Sequence, residues 1–204
     1  MDTKKLYDKY CVKNIKAFSQ KLIPNLDYPV YGIQVPLIRE MAEEIEDLDF
    51  EIRYHEDVLL RGFIIAKRKI PVEEKLDLIT THLPLLSTWD ETDTFASSLK
   101  FRKKEIDKAY EYFYSLLSDE RIFVRRIAVV WIMGNRKKVS APLKEQLDGI
   151  SKVRNDDYYI AMAVAWALSS YYITDRELTK PYIDKADDVI RKMTMQKIRD
   201  SRRC

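Results

Sequence analysis

Apolar residues recur at intervals of three and four along almost the whole chain, and runs that alternate apolar with polar are scarce. That interval is one helical turn, so each segment carries one apolar stripe; a strand of the same sequence would scatter its apolar residues over both faces. Punctuation agrees with the period. The 204 residues include 4 glycines and 7 prolines, and 34% are charged, a profile of long helices joined by short turns rather than of a β-sandwich. The expectation is a single all-α domain over residues 1–204, long enough to bury a sizeable core.

The predicted helices cover 4–22, stopping at Pro24, then 36–46 after a turn-rich connection over 25–32, then 55–67 and 72–82. Further helices are predicted over 88–100, 104–117, 118–133, 141–153, 156–172, 175–190 and 194–202. Short connections favour antiparallel neighbours. Two helices together take up roughly 35 to 45 residues, the size of a HEAT-type unit. Such units stack into a curved solenoid with one concave face, which suits an extended ligand such as duplex DNA and equally a partner protein. Fold alone does not choose between them.

Composition narrows the chemistry. No apolar run approaches a membrane span, and Met1-Asp2-Thr3-Lys4-Lys5 has no apolar signal core behind it, so a cytoplasmic monomer is expected. Cys11 and Cys204 lie at opposite ends of the sequence without metal-site spacing, and read as reduced thiols. His55 and His82 are isolated, and each is expected to be a surface or hydrogen-bonded histidine. No metal and no cofactor is expected. Net charge is +3, from 36 Lys and Arg against 33 Asp and Glu, too little to imply a polyanionic partner by itself. Its distribution says more, with basic clusters at Lys100-Phe101-Arg102-Lys103-Lys104, Arg125-Arg126, Arg136-Lys137-Lys138 and from Arg191 through Arg203. These read either as basic stripes that track phosphates, giving the concave face a basic groove, or as ordinary helix ends, where cations are favoured.

One segment stands apart: Ser87-Thr88-Trp89-Asp90-Glu91-Thr92-Asp93-Thr94-Phe95. Thr88 and Glu91 fit a capping box, with acids in the positive first turn. Asp93 lies beyond that turn, on the face of Trp89 at the i, i+4 spacing that brings side chains together. It is either a solvated acid beside a half-buried indole or a positioned carboxylate. Arg126 shares a side with Ile122, Val129 and Met133, which makes it a snorkelling charge or a placed cation. In the segment from Tyr158 to Leu168, the stripe Ile160, Val164 and Leu168 already supplies a core face, so Trp166 is free to face elsewhere.

The segments Tyr31-Gly32-Ile33-Gln34-Val35-Pro36, Trp89-Asp90-Glu91-Thr92-Asp93, Val124-Arg125-Arg126-Ile127-Ala128, Met162-Ala163-Val164-Ala165-Trp166 and Met195-Gln196-Lys197-Ile198-Arg199-Asp200-Ser201 follow in an order and spacing that resembles the DNA alkylation repair family of HEAT-like DNA glycosylases. The resemblance implies a helical solenoid that cradles duplex DNA and excises cationic alkylated purines such as N3-methyladenine and N7-methylguanine. Carried over by position, it makes Asp93 the catalytic aspartate and Trp89 and Trp166 the indoles flanking the lesion's sugar. It places Arg126 at the DNA backbone, and from the basic clusters Arg125, Lys100, Arg102 and Lys103 are expected as further DNA-binding cations. The chain departs from the pattern at Thr88, where the active glycosylase has a second tryptophan, and at Met162 and Ser169, where it is basic. Fewer phosphate contacts weaken binding without touching the carboxylate. A non-catalytic HEAT-like module that binds damaged or branched DNA, or a protein partner, therefore stands beside the glycosylase reading.

Overall fold

The computed structural model describes residues 1–11, 13–23 and 26–201. Every regular element among these residues is a helix and none is a strand, as the periodicity predicts. Val12 of the first predicted helix, Pro24 at its predicted stop, Asn25 of the predicted turn, and Arg202, Arg203 and Cys204 at the C-terminal end lie outside the described residues. The chain packs as two compact units, Met1–Lys100 and Phe101–Cys204.

The first unit comprises α1 (Thr3–Tyr7), α2 (Lys13–Leu22), α3 (Val35–Glu44), α4 (His55–Lys67), α5 (Val72–His82), a 3-10 turn over Leu83–Leu85, and α6 (Trp89–Ser98). Its centre is α4, which packs against α3, α5 and α6. Apolar residues surround that helix on nearly every side, and Val58, Leu60, Ile64 and Ile65 are fully buried, the pattern of a helix with no solvent face. Gly62 permits the closest approach: a Cβ there would stand 3.2 Å from both His82 Nε2 and the Phe95 ring. The single helix predicted over 4–22 is two. Tyr7 is fully buried and donates its hydroxyl to Asp57 at 2.9 Å, and Tyr10 N–H turns back to the Tyr7 carbonyl. A tertiary anchor of this kind outweighs continuation of a short, marginal helix.

The second unit comprises α7 (Ile106–Ser115), a 3-10 turn over Leu116–Ser118, α8 (Ile122–Asn135), α9 (Leu143–Ile150), α10 (Tyr158–Thr174), α11 (Arg176–Lys185) and α12 (Asp188–Asp200). Helices α8, α10 and α12 lie side by side as one layer, and α7, α9 and α11 pack against it. This is the two-helix repeat layout that the element spacing predicts. In α8 the residues Ile127, Ala128, Val129 and Ile132 are fully buried, and Trp131 stacks on Phe113 of α7 at 4.4 Å with an edge contact to Phe101 at 5.7 Å. The predicted helix over 175–190 ends early, at Lys185. Asp187 accepts the Ile190 N–H at 2.9 Å and so caps a new helix, α12, joining the predicted last helix to the residues before it. Asp175 caps α11, accepting the Leu178 N–H at 3.0 Å, while the Thr174 hydroxyl turns back to the Ser170 carbonyl.

Candidate functional site

The start of α6 is built as its sequence predicts. Glu91 accepts the N–H groups of Ser87 and Thr88 at 2.8 and 3.1 Å, and the Thr88 hydroxyl faces the Glu91 N–H at 3.5 Å, closing the capping box. The Thr92 hydroxyl adds a bond to the Thr88 carbonyl at 2.7 Å. On this fixed turn Trp89 and Asp93 follow one turn apart, both half-buried.

Asp90 and Glu91 have a partner that lies 35 and 36 residues away in the chain. His55, at the first position of α4, is 2% exposed and places Nδ1 at 2.7 Å from Glu91 Oε1 and Nε2 at 2.9 Å from Asp90 Oδ2. A ring with a carboxylate at each nitrogen donates from both, which requires the imidazolium. Burial opposes that charge, but the bonds to Asp90 and Glu91 outweigh it and raise the pKa to about 10. Burial likewise opposes the charge on Asp90, and His55 more than compensates, holding that carboxyl below its usual range. The Thr88 hydroxyl completes the set by donating to Asp90 Oδ1 at 2.7 Å.

The first turn of α4 repeats the device. Glu56, 2% exposed, accepts the N–H groups of Tyr31, Gly32 and Ile33 at 2.8, 2.7 and 3.2 Å, and Gly32 reaches this cradle with φ of 113°, a conformation that favours glycine. Asp57 accepts the Tyr7 hydroxyl and the N–H groups of Arg53 and Tyr54, each at 2.9 Å. The four acids thus sit at two positive helix ends, each with donors aimed at it.

His82 corrects the expectation of a surface or hydrogen-bonded histidine. It is 1% exposed in the core, edge-on to Phe95 at 4.6 Å, and its Nδ1 has no partner among the described residues. Burial, helped by the Arg61 charge, lowers its pKa to about 3 and keeps the ring neutral. Among the described residues no group of three or more His, Cys, Asp or Glu is placed to hold a metal ion. No helix among them is long and apolar enough to cross a membrane.

The cations singled out by sequence fall into two sets. Lys100 is exposed at the end of the first unit, its ammonium donating to the Ser97 carbonyl at 3.0 Å. In the second unit Lys103 is exposed, and Arg102 is exposed while pairing with Glu105 at 2.7 Å. Arg125 and Arg126 instead lie inside, 1% and 3% exposed. Arg125 donates to the Asp119 and Glu120 carbonyls, both at 2.9 Å, and pairs with Asp156. Arg126 donates to the Tyr159 carbonyl at the start of α10. Both guanidiniums are buried, donating hydrogen bonds to main-chain oxygens left by helix ends and turns and, from Arg125, to the Asp156 carboxylate.

Trp166 does face out. It is 39% exposed on α10, a 17-residue helix without a charged side chain. Its stripe continues through exposed Tyr158, half-buried Met162 and exposed Ile173. Ser169 is buried and donates to the Trp166 carbonyl at 2.8 Å. Trp89 and Asp93 thus share α6 of the first unit, whereas Arg126 and Trp166 stand on neighbouring helices of the second.

A comparison with curated proteins gives no match. The sequence family described as DNA alkylation repair enzyme matches residues 12–203. That match covers nearly the whole chain and fits an all-helical protein with paired, layered helices, so this protein belongs to the family of DNA alkylation repair enzymes and its role is in DNA repair.

Proposed function

We propose that this protein is a monofunctional DNA glycosylase that releases cationic alkylated purines, such as N3-methyladenine and N7-methylguanine, from duplex DNA. The observation that carries the reading is the surface of α6. There Asp93 and a half-buried Trp89 stand one turn apart on the same face, on a helix start fixed by the capping box.

The chemistry suits those groups. An alkylated purine already carries positive charge and leaves readily, so a general acid adds little. As the glycosidic bond stretches, cationic character moves onto the deoxyribose. A fixed carboxylate at Asp93 stabilises that charge and orients the attacking water. The indole face of Trp89 adds cation–π attraction of about 0.5 to 2 kcal/mol, and the outward-facing indole of Trp166 is of the same chemical kind. No metal or cofactor is needed for these steps. Exposed Lys100, Arg102 and Lys103 are suited to phosphate contact, whereas Arg125 and Arg126 act on DNA binding through the helix ends that they hold together.

Incubating methylated duplex with the wild type and with Asp93→Asn, followed by detection of free bases, tests the assignment. Release falls by at least a hundredfold in the variant while duplex affinity stays within about threefold of wild type. Equal release by both proteins overturns it. The uncharged outer stripe of α10 supports a second reading, a module that binds damaged or branched DNA without turnover. Tight binding by a wild type that frees no base would establish that one.

A further inference from the structure

We propose that His55 is a positioning residue for DNA binding at α6: by bonding Asp90 and Glu91 together it fixes the turn that carries Trp89 and Asp93 and cancels one of the negative charges that a phosphate backbone would meet there. The proposal rests on the reading that this surface of α6 faces bound DNA.

A polyanion approaching three carboxylates within four residues is repelled, and over such distances the repulsion is only partly screened, since the Debye length at 0.1 M salt is about 10 Å. A catalytic carboxylate cannot be dispensed with, but its neighbours can be answered. His55 answers both at once, through bonds of 2.7 and 2.9 Å made from a different helix. Because the ring is 2% exposed, this charge is neither hydrated nor free to swing away, unlike that of a surface lysine in the same role. The backbone of His55 is held as well, its N–H donating to the Pro29 carbonyl at 3.2 Å.

The other titratable groups nearby have separate tasks. On α4 itself Glu56 and Asp57 are turned to the amides of residues 31–33 and 53–54. Arg39 of α3 lies over Phe63 and reaches Ser98, and His82 of α5 is neutral against Phe95. Asp90 and Glu91 of α6 are the charged groups that face the ring. The arrangement is therefore a dedicated cation for two acids.

The test uses duplex affinity of the full chain at low salt between pH 6 and pH 9, read by fluorescence anisotropy, together with the imidazole nitrogen resonances of His55. In the wild type, affinity changes little over this range and both ring nitrogens remain protonated at pH 8. In His55→Gln affinity falls about tenfold at pH 8 and recovers toward pH 6, as burial, no longer opposed by the His55 charge, lets Asp90 take up a proton. Adding Asp90→Asn to that variant restores affinity at pH 8. A purely structural histidine predicts a loss that is the same at every pH and that Asp90→Asn does not relieve, and that result overturns the proposal. A neutral His55 ring at pH 8 in the wild type overturns it without any variant, so a failure of His55→Gln to fold does not block the test. If the wild type frees no base, the glycosylase reading falls while the affinity and resonance measurements still decide the role of His55. If His55→Gln binds and titrates like the wild type, the role of His55 falls while the glycosylase reading stands.

Discussion

Where α4 meets α6 and the loop before it, the buried polar groups are acids: Glu56, Asp57, Asp90 and Glu91 meet amides, hydroxyls and one imidazolium. Where α8 meets α10 the charged joint is smaller, the buried Arg125 pairing with Asp156 just before α10. Ile127, Trp131, Ala163 and Leu168 supply an apolar seam, and Arg126 bonds a main-chain carbonyl across it. The difference is one of double use. At α4 and α6, Asp57 and Glu91 each satisfy their own helix end and grip a neighbouring segment, whereas Asp157 and Asp175 of the second unit cap their own helices and Asp187 adds to its cap only the Asn155 amide. Charge-made joints fix geometry more than they add stability, since buried ion pairs are often no better than apolar packing, yet losing one partner is costly. They also carry pH dependence. His55, with a folded pKa of about 10 against 6.5 for the free side chain, contributes stability that is complete below pH 6.5 and is lost as pH rises through about 10.

The comparison breaks first if the second unit proves equally sensitive to charge. Trp131→Ala removes the ring stacked on Phe113 at 4.4 Å and is expected to cost about 3 to 5 kcal/mol in urea unfolding. That loss should be the same at pH 6 and pH 9; a loss that changes with pH would show that this seam, too, depends on titrating groups.

His82 sharpens the same contrast from the acid side. Its folded pKa of about 3 lies below the free value of 6.5, so folding excludes a proton that the unfolded chain binds. The stability it contributes is present above pH 6.5 and is lost as pH falls toward 3. His82→Leu, of similar bulk and without the ring nitrogen that lacks a partner, should match the wild type at pH 7 and exceed it by about 2 kcal/mol at pH 4.5. Parallel acid-unfolding curves for the two proteins would remove His82 from the account.

What the sequence could reveal was whatever a helix records about itself. The apolar period marked α4 over His55–Lys67 and α5 over Val72–His82 at both ends, and Thr88 with Glu91 announced the start of α6. Trp166 was also legible as a residue with a choice, because Ile160, Val164 and Leu168 already made a core face on α10. Tertiary partners left no such record. His55 finds Asp90 and Glu91 at separations of 35 and 36 residues, and nothing within one turn of it hints at that. Arg125 and Arg126 looked like candidate phosphate ligands since a pair of arginines in an apolar helix has no local partner, and the carbonyls that take their protons belong to the turn before α8 and to α10. The break between α11 and α12 was hidden for another reason: the apolar period runs on across Ala186, whose N–H closes α11 on main-chain carbonyls, and a single aspartate side chain starts the next helix.

The smallest expected change in stability belongs to the residue with the clearest exposure. Trp166 is 39% exposed and has neither an ion pair nor a ring partner to lose, so Trp166→Ala should shift the unfolding free energy by no more than about 0.5 kcal/mol. An indole retained on an uncharged stripe beside exposed Tyr158 costs solubility unless something covers it. If that something is DNA, the same substitution should lower duplex affinity several-fold and leave the salt slope unchanged, because it removes an aromatic face and no phosphate contact. Gel-shift titrations at three salt concentrations separate the outcomes. A steeper loss at high salt would implicate the phosphate-binding cations instead, and a variant that binds like the wild type would leave α10 outside the DNA surface, with α6 alone to carry the indole.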